Sequence, residues 1–258
     1  MVELVHLDEF SPKGSLIITS VSRTPSAGSN DSPVGDLGSG AILSARRVRT
    51  RPGSTPVAFV LRPGDLLVIA GPAGVGKTGL LETIGLATPP PRGDIELFEH
   101  DLKDLTRREQ LACRRRMGLV FQTPRLIEDA SARDNITLGA LAAGRTADEV
   151  GDDVDQLMAW VGLTALADRA AQDLNDEARR RVAMARALVN RPELIVADEP
   201  AGPDGSAVLR MLVEVNQAGT ALLVATREPS QVDPSNDKRR VIELAPPLAG
   251  SEPGRQSA

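Results

Sequence analysis

Gly71-Pro72-Ala73-Gly74-Val75-Gly76-Lys77-Thr78 follows the apolar run Leu66 to Ala70 and opens a stretch that carries Leu80, Leu81 and Ile84 at helical spacing. The octapeptide fits G-x-x-x-x-G-K-[ST] in the strand, loop, helix context that the pattern requires. The chemistry demands these residue types. Glycines let consecutive backbone N–H groups turn inward around phosphate oxygens, Lys77 adds a point charge, and the Thr78 hydroxyl can ligate Mg²⁺. Gly71, Pro72, Ala73, Gly74, Val75, Gly76, Lys77, Thr78 and Gly79 are therefore read as the phosphate-binding segment. A dinucleotide fingerprint ending at Gly76 would need glycine where Ala73 stands and would not call for a lysine. A mere glycine-rich turn would leave the flanking strand and helix unexplained.

A second stretch, Leu194-Ile195-Val196-Ala197-Asp198-Glu199-Pro200, reads as a buried strand ending in two adjacent carboxylates. A strand's C-terminal edge is where an α/β sheet gathers its ligands. Asp198 suits a Mg²⁺ shell, and Glu199 suits the orientation or deprotonation of an attacking water. Alone, the pair could be a polar strand end turned by Pro200. Beside a phosphate loop, it specifies a nucleoside triphosphatase core.

The 258 residues are 41% hydrophobic and 25% charged, with a net charge of −5, as in an ordinary globular protein of one domain or two small ones. The longest apolar runs fall far short of the roughly 18 residues that cross a bilayer. One cysteine excludes an internal disulfide and a four-cysteine zinc site, and two distant histidines disfavour a histidine metal centre. The first residues lack a charged-then-apolar leader, so a secretory signal is not expected. Tyrosine is absent, and only four of the 30 basic residues are lysines, so neither base stacking nor a global polyanion surface is indicated.

Residues 1–42 are punctuated by Pro, Gly and Ser and read as a flexible leader with one strand at Leu16 to Val21. Residues 245–258 read as a disordered tail. Between them, Val57 to Leu61 and Leu66 to Ala70 read as strand, turn, strand. Gly118 to Phe121, Leu194 to Ala197 and Ala221 to Ala225 read as buried parallel strands. Thr146 and Glu149 form a capping box ahead of Val150, Val154, Leu157, Met158 and Val161 on one helical face. Strands alternating with helices argue α/β.

At this point the chain resembles the ATP-binding subunits of ABC transporters, especially the short type of lipoprotein-release, cell-division and macrolide-export systems. The likeness spans about residues 43–244. Arg114 to Gln122 is similar to the family's Q-loop segment, with Gln122 placed 45 positions after Lys77. The resemblance implies a P-loop core with a mainly parallel sheet, an antiparallel β edge and a helical subdomain at about 123–181. It implies ATP and Mg²⁺ as cofactors, with Thr78, Gln122 and Asp198 on the metal and Glu199, Gln122 and Arg227 in catalysis. It also implies a membrane permease and a second ATP-binding subunit as partners, at the inner face of the plasma membrane. Nucleic acid is not expected.

Several positions depart from the family's pattern. Leu174-Asn175-Asp176-Glu177-Ala178 stands where the family carries Leu-Ser-Gly-Gly-Gln, whose hydroxyl and glycine amides bind the γ-phosphate of ATP held by the other subunit. Asp176 and Glu177 are expected to cap this helix's own N–H groups and so compete for the anion position. Like charges about 4 Å apart at an effective dielectric near 20 repel by about 4 kcal/mol, enough to cripple this signature. Arg227 replaces the family's switch histidine; its fork can contact phosphate but does not exchange protons near neutral pH. Asp204 lies in a segment one residue short of the usual D-loop, and Gly79 replaces a second hydroxyl. No upstream tyrosine is present to stack on adenine; Phe59 reads as core, leaving Arg49 or Arg51 as a planar surface. Arg46 to Arg51 otherwise reads as a solvated strand edge.

The transporter subunit is the first functional reading. A non-hydrolysing nucleotide-binding module of a membrane complex is the alternative, against which Glu199 stands. A DNA-repair or chromosome-organising ATPase would place long coiled coils or zinc inserts between phosphate loop and signature. Here Lys77 and Leu174 are 97 positions apart with no sustained heptads.

Overall fold

The computed structural model describes residues 40–245, apart from 53, 55, 91 and 202–206. Its strands in chain order are β1 (Leu43–Val48), β2 (Val57–Leu61), β3 (Leu66–Ala70), β4 (Asp94–Leu97), β5 (His100–Asp101), β6 (Met117–Val120), β7 (Leu194–Asp198), β8 (Ala221–Thr226) and β9 (Arg239–Glu243). Its α-helices are α1 (Lys77–Ile84), α2 (Arg107–Arg115), α3 (Ala132–Ala142), α4 (Ala147–Trp160), α5 (Asp176–Leu188) and α6 (Ala207–Gln217).

Strands β3, β7 and β8 are buried at every position, which a strand achieves only when both faces of its sheet are covered. They lie in a parallel sheet of order β6-β7-β8-β3-β9. The two-residue period of a strand sorts their side chains onto the two faces. Leu66, Val68, Ile195, Ala197, Leu222 and Val224 join one core with residues of α3, α4, α5 and α6. Leu67, Ile69, Leu194, Val196, Leu223 and Ala225 join the other with α1 and the second sheet. That second sheet is antiparallel, of order β2-β1-β4-β5. The α/β class expected from the sequence is the class observed.

Strand pairing settles two features of this region. The expected strand, turn, strand is formed, and the Arg62 to Asp65 turn carries the chain from one sheet to the other, since β2 pairs with β1 whereas β3 pairs with β8 and β9. The expected strand edge at Arg46 is corrected: β1 lies between β2 and β4, although Arg46 and Arg47 are exposed. The expected strand at Leu16 to Val21 and most of the tail lie outside the described residues.

The capping box at α4 is formed as expected, with Thr146 and Glu149 bonding reciprocally, and Val150, Val154, Leu157, Met158 and Val161 are all buried. A second capping box, Thr106 with Glu109, opens α2. Arg114 and Arg116 are exposed but anchored. The first donates to the Leu86 carbonyl, and the second forks onto Glu193 at 2.6 and 2.8 Å. Helix α5 is seated by backbone contact. A Cβ at Gly118 of β6 would stand 2.6 Å from the Ala187 carbonyl oxygen, and one at Gly139 of α3 would stand 2.5 Å from that of Arg186.

The segment between β6 and α3 is held by a buried amide. Asn135, fully buried, accepts from the Ile127 amide at 2.8 Å and donates to the carbonyls of Ile127 and Ser131, both at 3.0 Å, and of Ala130 at 3.3 Å. Buried backbone groups left without partners cost about 1–3 kcal/mol each. Asn135→Ala is therefore expected to lower the unfolding free energy by about 3 kcal/mol, read by urea denaturation. A loss under about 1 kcal/mol would show that the clamp is not what orders residues 127–131.

Candidate functional site

The C-terminal ends of the parallel strands collect the chemistry. Register aligns Ala70 with Thr226, Asp198 with Ala225 and Val120 with Ala197. The chain leaving each strand therefore emerges on one edge: the phosphate loop after β3, Glu199 after β7, Arg227 after β8 and Gln122 after β6. The loop after β3 turns through Gly71, Gly74 and Gly76, with φ of 151°, 80° and 99°. Such angles are open to glycine and strained for other residues. At Gly71 a Cβ would also lie 2.7 Å from the Leu244 carbonyl oxygen.

Lys77, the first residue of α1, is 6% exposed, and its Nζ donates to the carbonyls of Gly71 at 2.6 Å and Pro72 at 3.1 Å. The same Nζ stands 3.5 Å from Glu199 Oε1. Thr78 Oγ1 donates to Asp198 Oδ2 at 2.7 Å, joining residues 120 positions apart. The other oxygen, Asp198 Oδ1, is buried with no hydrogen-bond partner. A buried, unpartnered carboxylate oxygen beside a hydroxyl is a hard-oxygen donor set of the kind Mg²⁺ takes together with substrate phosphates.

Glu199 has φ of 46° and precedes Pro200, an uncommon and strained backbone for a non-glycine residue before proline. Its amide donates to the Ala225 carbonyl at 2.8 Å. Its Oε2 accepts from the Arg227 amide at 3.3 Å, and Arg227 Nε stands 3.5 Å from Oε1. Lys77 and Arg227 thus flank one carboxylate. Gln122 is exposed two residues beyond β6, and Gly79 has open space around it. Asp204 lies outside the described residues.

Beyond the motif residues, the connection after β1 reaches the loop, which motif spacing did not reveal. Thr50 Oγ1 donates to the Val75 carbonyl at 2.9 Å, and Arg51 Nη1 donates to that of Gly74. Arg49 instead turns to the Ser54 carbonyl at 2.6 Å. A cavity of about 370 Å³ opens nearby, lined by Thr50, Ser54, Val57 and Leu244 among others, and none of its described lining residues is aromatic.

The start of α5 corrects one expectation. Asp176 and Glu177 do not cap the helix; Asn175 does, accepting from the Ala178 amide at 2.8 Å. Glu177 faces Arg181 at 3.1 Å and Arg180 at 3.9 Å, one turn on. The cap position precedes both acids, which stand in the first turn of α5, with Asp176 exposed.

Burial pushes the Asp198 carboxyl above the usual carboxylate range, the Thr78 hydrogen bond opposes the shift, and the Glu199 charge adds to it. Between the ordinary carboxylate pKa and the raised one, the folded chain binds more protons than the unfolded chain, so stability falls as pH rises through that window. Asp198→Asn, which retains an acceptor for Thr78, is expected to raise the thermal midpoint of the ligand-free chain at pH 7 and to flatten that fall. An unchanged or lowered midpoint would show that the buried charge carries no net cost.

Comparison with known proteins agrees with this geometry. Residues 55–202 match the family model for the ABC transporter. The cell division ATP-binding protein FtsE of Mycobacterium tuberculosis is 31% identical over 199 residues, covering 76% of this chain and 86% of that protein. The lipoprotein-releasing system ATP-binding protein LolD of Porphyromonas gingivalis is 33% identical over 171 residues, covering 64% and 78%. Among solved structures, cbiO1 from Clostridium perfringens, part of the ABC transporter complex cbiONQ, superposes with a TM-score of 0.67 at 25% identity over 80% of this chain and 85% of that one. A dimeric ATP-binding cassette in a post-hydrolysis state bound to ADP and Pi shares the fold, with a TM-score of 0.67 at 24% identity over 78% of this chain and 94% of that one. With the strand-edge phosphate loop, the paired carboxylates and these relatives agreeing, the chain belongs to the ABC transporter ATP-binding family.

Proposed function

We propose that this chain is the ATP-binding subunit of an ABC transporter, binding MgATP and hydrolysing it to drive a separate membrane permease. The observation that carries the reading is the convergence of Lys77, Thr78, Asp198 and Glu199 on one strand edge, with Lys77 and Glu199 3.5 Å apart and Thr78 bonded to Asp198. The relatives whose names describe cell-division, lipoprotein-releasing and macrolide-export systems support the same class of task. Among the described residues no helix is long and apolar enough to cross a membrane, in keeping with a permease on another chain and a place at the inner face of the membrane. Residues 43–244 form the nucleotide-binding domain in this reading, with 123–181 as the helical subdomain.

The roles follow from the chemistry of each group. Backbone amides of residues 74–78 cradle the phosphates, and Lys77 neutralises them. Thr78, Asp198 and Gln122 are the groups that would hold Mg²⁺, which when bound offsets the charge on the phosphate oxygens. Glu199 orients the attacking water and takes its proton; Arg227 contacts the γ-phosphate through its fork. Two cassettes work as a pair, each ATP lying between one phosphate loop and the opposite α5 start. There Asn175, Asp176 and Glu177 replace the small, uncharged residues of the family pattern, which slows turnover.

Mg²⁺-dependent ATP hydrolysis and ATP binding are to be measured on the purified chain. Glu199→Gln is expected to cut turnover by about 100-fold or more with binding retained, and Lys77→Ala to lose both. Tight binding without any wild-type turnover would favour a regulatory module instead. Rebuilding the helix start with Asn175→Ser, Asp176→Gly and Glu177→Gly is expected to raise turnover in the assembled complex by several-fold, about 1 kcal/mol. No gain would show that the altered start does not limit hydrolysis.

A further inference from the structure

The contacts from the β1–β2 connection fall on two consecutive peptide groups of the phosphate loop. Arg51 Nη1 donates to the Gly74 carbonyl and Thr50 Oγ1 to the Val75 carbonyl. In a trans peptide the C=O and N–H point in opposite directions within one plane, and no described peptide is cis. Turning the Gly74 carbonyl toward Arg51 therefore turns the Val75 N–H away from it. Turning the Val75 carbonyl toward Thr50 does the same to the Gly76 N–H. Those two N–H groups belong to the run that makes an anion nest. Packing fixes the arrangement, since a Cβ at Gly76 would lie 2.8 Å from Thr50 Cβ and 2.9 Å from the Thr50 carbonyl oxygen.

We propose that Thr50 and Arg51 are positioning residues that orient the Gly74–Val75 and Val75–Gly76 peptide planes, aiming their amides at the nucleotide's phosphates before it binds. The proposal rests on the ATP-binding reading of the same loop. Neither side chain is assigned a contact with the nucleotide. Hydrogen bonds that preorganise donors contribute to anion affinity because the ligand then meets a cradle already formed. The hydroxyl of Thr50 matters here, and its methyl group does not. Because the aimed groups are amides, the effect extends to the phosphates alone, whatever base is attached.

The test compares wild type with Thr50→Val, Thr50→Ser, Arg51→Gln and Lys77→Ala in the full chain. Calorimetry measures binding of ATP and of inorganic tripolyphosphate, and the ligand-free thermal midpoint is recorded for each. Thr50→Val is expected to weaken both ligands by about fivefold and Thr50→Ser to restore binding, with Arg51→Gln weakening both by a smaller factor. Amide NMR of the ligand-free chain should show Val75 and Gly76 displaced in Thr50→Val but not in Thr50→Ser. Equal losses in Thr50→Val and Thr50→Ser would overturn the proposal in favour of packing, and a loss confined to ATP would overturn it in favour of a base contact. Should Thr50→Val fail to fold, the exposed Arg51→Gln decides: unchanged affinity for tripolyphosphate overturns the proposal. Wild type that binds neither ligand would sink the nucleotide reading itself, whereas wild-type binding lost in Lys77→Ala but untouched at Thr50 and Arg51 sinks only the proposal.

Discussion

Burial of the parallel sheet on both faces is the constraint from which the rest follows. Strands β3, β7 and β8 have no exposed position, so a polar side chain within them would lie in one of two apolar cores, where an unpaired charge is costly. Polar chemistry is confined to the strand ends. Because the strands run parallel, all their C-terminal ends share one edge, and four loops from distant parts of the chain meet there. The bond from Thr78 to Asp198 bridges two of those ends. The carboxylates of Asp198 and Glu199 differ in environment for the same reason: Asp198 is still inside the sheet, and Glu199 has just left it.

The apolar strands β2, β3, β6, β7 and β8 and the phosphate loop were legible because both rest on local spacing, whereas β4, β5 and β9 carry charged residues and no continuous apolar run, and were not read. An apolar run of five residues ahead of G-x-x-x-x-G-K-T needs no knowledge of its neighbours. Pairing was not legible. The turn Arg62 to Asp65 reads the same whether or not its strands pair, and β2 and β3 find partners in different sheets. The partners of β3 lie more than 150 positions away, and nothing in its own residues names them. The same limit hid the contacts of Thr50 and Arg51 with the loop, which depend on how one sheet's connection lies against the other's turn.

The start of α5 shows a subtler limit. Acids in the first turn of a helix suit its dipole, and the sequence offers two. The backbone places Asn175 at the cap itself, because the helix begins one residue before the first acid could serve. A shift of one position separates a cap from a first-turn residue, and helix boundaries read from sequence do not reach that precision. The charges remain where the motif comparison puts them, with Glu177 balanced by arginines of the next turn.

The seating of α5 bears on how such a motif can change at all. Glycines 118 and 139 let backbone meet backbone at the helix's last turn, and Ala178, Val182, Met184 and Leu188 bury its inner face, so its seat rests on residues beyond Asn175, Asp176 and Glu177. The opening can thus exchange one chemistry for another while keeping its address in the molecule. Loss of a motif's letters and loss of its location are separable events in this fold. A cassette whose helix start has been rewritten still presents that start at the same place to whatever chain lies opposite.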